Sequence, residues 1–158
     1  MDWHVITSEY PPQPGGVSDY TKLVANGLAA AGDEVHVWCP SLEDSETGER
    51  ENTTRDAGAV KVHRDFGRFS PADLRRVGHS LDQFPAPRRL LVQWVPQGYG
   101  YRSLNLPFCL WLWGRAKLKL DRVEIIVHEP FLAYSEGSPK QDLAAAAHRL
   151  MVSVLLKA

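Results

Sequence analysis

Gly15 and Gly16 stand side by side at the end of a proline-rich turn, Pro11-Pro12-Gln13-Pro14, which begins at Glu9 and Tyr10. Prolines stiffen such a turn, and adjacent glycines let backbone approach a ligand with no β-carbon in the way. The helix expected next points its amino terminus, with free amide hydrogens and a partial positive charge, at the same place. This combination suits a phosphate or a sugar hydroxyl; a helix entry that only needs a tight turn would look the same. Two further stretches collect polar and aromatic groups. One runs from Gln93 through Gln97 and Tyr99, and the other is His128-Glu129-Pro130. No metal is expected, because Cys39 and Cys109 lie far apart in apolar runs and have no ligand spacing.

Short apolar runs and amphipathic stretches must position these groups. "WHVIT" (3–7), "EVHVWCP" (34–40), "VKVHRDF" (60–66), "RRLLVQWVP" (88–96) and "RVEIIVHEP" (122–130) predict five strands. After the glycines, Ser18 and Asp19 can cap a helix with Tyr20, Leu23, Val24, Leu28 and Ala31 at helical spacing, ended by Gly32. Ser70 and Pro71 open a second helix with Leu74, Val77, Leu81 and Phe84 on one stripe. Pro107 opens an apolar third, and a fourth spans about 140–157 with Leu143, Ala147, Leu150, Met151, Val154 and Leu155 inside. The acidic stretch 42–58 has almost no large apolar residue and reads as an exposed, flexible loop.

Strands alternating with helices predict an α/β fold, a doubly wound, Rossmann-like parallel sheet with helices on both faces. Ligands in such sheets bind beyond the carboxyl ends of the strands, where strand order reverses; the usual order sets the first and fourth strands together there. Glu9-Tyr10, Gln93 to Tyr99 and His128-Glu129 all lie at those ends.

The totals narrow the class of partner. The 158 residues carry 18 basic and 19 acidic side chains, so overall charge gives no reason to expect nucleic acid. No signal peptide opens the chain and no apolar run is long enough to span a membrane, so a cytoplasmic globular domain is expected. A dinucleotide cofactor is disfavoured, because the turn lacks the three-glycine fingerprint and strand two ends in Trp38-Cys39-Pro40 rather than an acid.

The segment "EYPPQPGGVSDYTKLVANGLAAAGDEVHVW" resembles the amino-terminal part of family 4 glycosyltransferases of the GT-B fold, with Asp33 where the family usually has histidine. "HEP" at His128-Glu129-Pro130 matches a second landmark of that family. The resemblance implies that Gly15 and Gly16 approach the diphosphate of a nucleotide-sugar donor, or the reacting sugar. It places His128 beside the transferred sugar as the catalytic-site residue, with Glu129 orienting it, and Glu9 and Tyr10 on the acceptor side. Gln93, Gln97 and Tyr99 are candidates from topology alone. No separate cofactor is implied; the partners are the nucleotide-sugar and a carbohydrate or lipid-linked acceptor. The family grips its nucleotide mainly through a second Rossmann-like domain, so residues 1–158 are expected to be the acceptor-side half of a retaining enzyme, inactive alone.

Two alternatives stay open. One is a stand-alone, non-catalytic module holding a sugar or phosphate in the same crevice. The other concerns 107–122, where Phe108, Leu110, Trp111, Leu112 and Trp113 beside Arg115, Lys117, Lys119 and Arg122 could rest on the anionic inner membrane face. A helix buried between sheet and neighbour has the same composition and is the preferred reading.

Overall fold

The computed structural model describes residues 1–43, 50–51, 54–57, 60–100, 103–134 and 138–158. Strand β1 (Asp2–Ile6) is followed by α1 (Gly16–Ala30), β2 (Glu34–Trp38), β3 (Leu42–Glu43), β4 (Arg50–Glu51), β5 (Thr54–Ala57) and β6 (Val60–His63). Then come α2 (Pro71–Leu81), β7 (Arg89–Trp94), a 3-10 turn at Pro96–Gly98, α3 (Leu106–Leu118), β8 (Arg122–Val127) and α4 (Pro139–Leu155). The main sheet has the order β5-β6-β2-β1-β7-β8. Five of its strands are parallel, and β5 joins β6 antiparallel at the edge. The fold is therefore α/β and Rossmann-like, and β1 and β7 are neighbours, as the expected strand order requires.

Side-chain alternation along the strands divides the core in two. Trp3, Val5, Val35, Val37 and Leu91 pack under α1 with Ala25, Val24 and Leu28. Ile6, Trp38, Leu90, Val92 and Trp94 pack against α2, α3 and α4, through Leu74, Val77 and Leu81, Phe108 and Leu112, and Met151 and Leu155. Helix α2 starts where expected, because Ser70 and Asp73 form a reciprocal capping box with Pro71 at the first turn.

Several expectations are corrected. The stretch 42–58 is not one loop, since its described residues form β3, β4 and β5; the rest of it lies outside the described residues. The inner face of α1 is turned away from the predicted stripe: Tyr20 and Leu23 are exposed, and Ser18 and Thr21 are buried. Local polar partners explain this, because Ser18 Oγ donates to the Gln13 carbonyl at 2.7 Å and the Thr21 and Thr7 hydroxyls meet at 3.3 Å. In α4, Leu143 and Leu150 are exposed while Ala145 and His148 are buried. His148 Nε2 reaches the Ser103 carbonyl at 2.8 Å, and its Nδ1 accepts from the Leu132 amide at 3.3 Å. Helix α3 buries Phe108, Cys109 and Leu112 but leaves Leu110 and Trp113 exposed, so it is apolar on its outer side too. No helix among the described residues is long and apolar enough to cross a membrane. Arg88 is buried and its Nε donates to Asp121 at 2.7 Å, the same carboxylate that Arg115 Nε holds at 2.6 Å.

A histidine group on the α2 side makes the fold sensitive to acid. His4, His36 and His63 cluster beside Trp38, with Phe84 edge-on to His4 and His36. The Trp38 indole donates to His4 Nδ1 at 3.2 Å, and His36 Nδ1 lies 2.8 Å from His63 Nε2. Burial, then the neighbouring His36, His63, Arg88 and Arg115, push His4 down to about 3. Burial also lowers His36, against the pull of Glu34. Unfolded histidine titrates near 6.5, so below that pH the unfolded chain binds protons that the folded chain refuses. Stability is thus complete above about pH 6.5 and falls as pH drops toward 3. From His4 alone the expected loss at pH 5.5 is on the order of 1 kcal/mol. Urea unfolding at pH 7.5 and 5.5 checks this, and equal midpoints would contradict it.

Candidate functional site

The turn after β1 is held by side chains as well as by its prolines. Thr7 Oγ1 donates to the Glu9 carbonyl at 2.8 Å, and the Gln13 amide donates back to the Tyr10 carbonyl at 3.2 Å. Buried Arg64, just beyond β6, donates to the Pro11 and Pro40 carbonyls and ties the turn to the end of β2. The result is a fixed loop that leads into α1.

The two glycines have different uses. A β-carbon on Gly15 would lie 2.2 Å from the Glu9 carboxylate, so Gly15 makes room for that side chain. Glu9 Oε1 accepts the Ser18 amide at 2.9 Å and so fills the start of α1 itself. Around Gly16 there is nothing within 4 Å of a β-carbon position, and its backbone faces an open cleft.

That cleft encloses about 680 Å³ at the carboxyl ends of β1, β7 and β8. Glu9, Gly16, Gln97, His128 and Glu129 line it, together with Ser8, Val17, Tyr20, Val95 and Gly98. Residues from turns more than a hundred positions apart therefore share one wall. His128 follows the last residue of β8, and its amide donates to the Trp94 carbonyl at 3.0 Å, which extends the β7–β8 pairing. Its Nε2 lies 2.8 Å from Gln93 Oε1, and the Tyr20 ring stands edge-on with centroids 5.1 Å apart. A carbonyl oxygen only accepts, so Nε2 donates to it, and Nδ1 is the ring nitrogen left facing the cleft as an acceptor. Gln97 Nε2 donates to Glu129 Oε2 at 2.7 Å and fixes the opposite side of the opening.

Four of the nine predicted site residues do not line the cleft. Tyr10 is buried in the core under α1, because its ring covers the apolar end of the sheet. Tyr99 is buried on the other face, stacked on Trp94 and Phe108, and its hydroxyl donates to the Gln93 carbonyl at 2.6 Å. Gln93 is fully buried behind His128 and supports that ring. Gly15 is covered by Glu9. Of the residues the sequence reading missed, Tyr20 was the one within reach of a signal, since it sits one helical turn after Gly16 on the same side.

A second hollow, about 400 Å³, lies at the opposite rim beside Met1, Asp2, Pro85, Arg88 and Arg122. It is at the amino ends of the strands and holds none of the candidate residues. No family model matches the chain, and no curated protein matches it.

Proposed function

We propose that this chain is the acceptor-side half of a GT-B glycosyltransferase that moves a sugar from a nucleotide-sugar to a hydroxyl-bearing acceptor. The observation that carries the reading is the shared wall formed by Gly16 and His128. The motifs "PPQPGG" and "HEP", which each resemble the family pattern, follow separate strands, β1 and β8, and meet at a single cleft where a doubly wound sheet binds ligands. In this reading a sugar lies along the Gly16 backbone with no side chain between them. His128 accepts a hydrogen bond from one of its hydroxyls through Nδ1, with the ring held by Gln93 and Tyr20. The phosphates of the donor belong to a second nucleotide-gripping unit, because Glu9 already occupies the start of α1.

Transfer itself is the test. The protein expressed from its complete reading frame is incubated with labelled nucleotide-sugars and a panel of hydroxyl acceptors. Formation of a labelled glycoside is the expected outcome. Sugar binding without any transfer would contradict it and leave a binding module in its place.

A further inference from the structure

The hollow at the opposite rim is lined with donors that the protein itself leaves unmet. Strands β1, β7 and β8 begin there, and His4, Arg88, Arg89 and Arg122 line one space of about 400 Å³. His4 is fully buried, and its Nδ1 accepts the Trp38 indole hydrogen at 3.2 Å. The neutral ring therefore carries its hydrogen on Nε2, a buried donor with no hydrogen-bond partner among the described residues. Arg89 Nε is buried without an acceptor in the same way, although its guanidinium lies over the Trp3 ring and reaches Glu124 at 2.8 Å. Folded proteins meet nearly all of their buried donors, so two unmet ones at a single cavity point to an acceptor from outside the chain.

Charge selects the kind of acceptor. Three guanidiniums line the hollow against one side-chain carboxylate, that of exposed Asp2. Asp121 answers Arg88 at 2.7 Å and Glu124 answers Arg89, but exposed Arg122 has no carboxylate paired with it among the described residues. Pro85, Ala86 and Pro87 supply an apolar wall beside these groups. We propose that this hollow is a second binding site, which takes a small organic oxyanion, a phosphate or a carboxylate. Its charged head lies among the donors of His4, Arg89 and Arg122, and its apolar body lies against Pro85 to Pro87. The site is independent of the sugar-transfer reading, because it occupies the amino ends of the strands whose carboxyl ends form the cleft.

The test is an NMR titration of the chain at pH 7.5 and constant ionic strength, read at the His4 ring nitrogens and Arg89 Nε. Phenyl phosphate and benzoate are the probes, and benzyl alcohol is the uncharged control. Saturable shifts at His4 Nε2 with at least one anion, and none with the alcohol, are expected. Saturation by phenyl phosphate alone assigns a phosphate ligand, and saturation by benzoate alone a carboxylate. Arg122→Gln removes an exposed charge without touching the core and should weaken binding about five- to tenfold. Unchanged affinity in that variant overturns the proposal. Shifts confined to Arg122 and its exposed neighbours, with the His4 nitrogens unmoved, mean an adventitious ion only and overturn it too. So does an equal response to benzyl alcohol, or saturation by neither anion.

Discussion

Replacing His128 by alanine is expected to slow sugar transfer by about 30- to 1,000-fold, equivalent to ~2–4 kcal/mol, with little change in stability. The ring is half-buried at the rim and its packing is an edge contact with Tyr20, so little core packing depends on it. Its side-chain hydrogen bond to Gln93 holds it in place with Nδ1 left as an acceptor. A preorganised partner of this kind matters most where charge develops on the substrate, which is why the loss should appear in kcat/KM. The measurement pairs transfer kinetics with urea unfolding of the same variant. Wild-type kinetics in a folded variant would remove His128 from the site.

The second large effect is expected at Gly16. Valine there should lower transfer by at least ~100-fold, the scale of a reacting group misplaced by about an ångström. The fold should tolerate the change, because no atom lies within 4 Å of the added β-carbon. Position 16 is also the first residue of α1, where a β-branched side chain meets no preceding helical turn. The branched methyls would instead project into the cleft beside Tyr20 and Val17. The same substitution at Gly15 should behave differently, since it collides with Glu9 and disturbs the turn itself. Comparing thermal unfolding and transfer for the two variants separates a blocked site from a damaged one.

Much of this was legible in the sequence because the strand signals were strong. Runs such as "WHVIT" and "RLLVQW" are rich in β-branched, aliphatic and aromatic residues, as central parallel strands are, and their order fixed which loops share a rim. What the pattern could not supply was the direction of single polar side chains. Ser18 and Thr21 are polar by type but buried, because each finds a hydroxyl or carbonyl partner, and this rotated α1 away from its apolar residues. Tyr10 and Tyr99 looked like site residues beside glycines and glutamines, yet both rings complete core layers. Arg64 gave no signal at all, since its partners Pro11 and Pro40 are backbone carbonyls brought together only by the β1–β2–β6 pairing.

The central claim is that Gly16 and His128 form one sugar site, and a structure with bound ligand tests it most directly. The protein is crystallised with a neutral glycoside acceptor at saturating concentration. The sugar ring is expected along the Gly16 backbone, with a hydroxyl within about 3 Å of His128 Nδ1 and a second facing Glu9 or Glu129. A ring seated in the hollow beside Arg88 and Arg122 at the opposite rim would contradict the account, as would a cleft that stays empty of sugar.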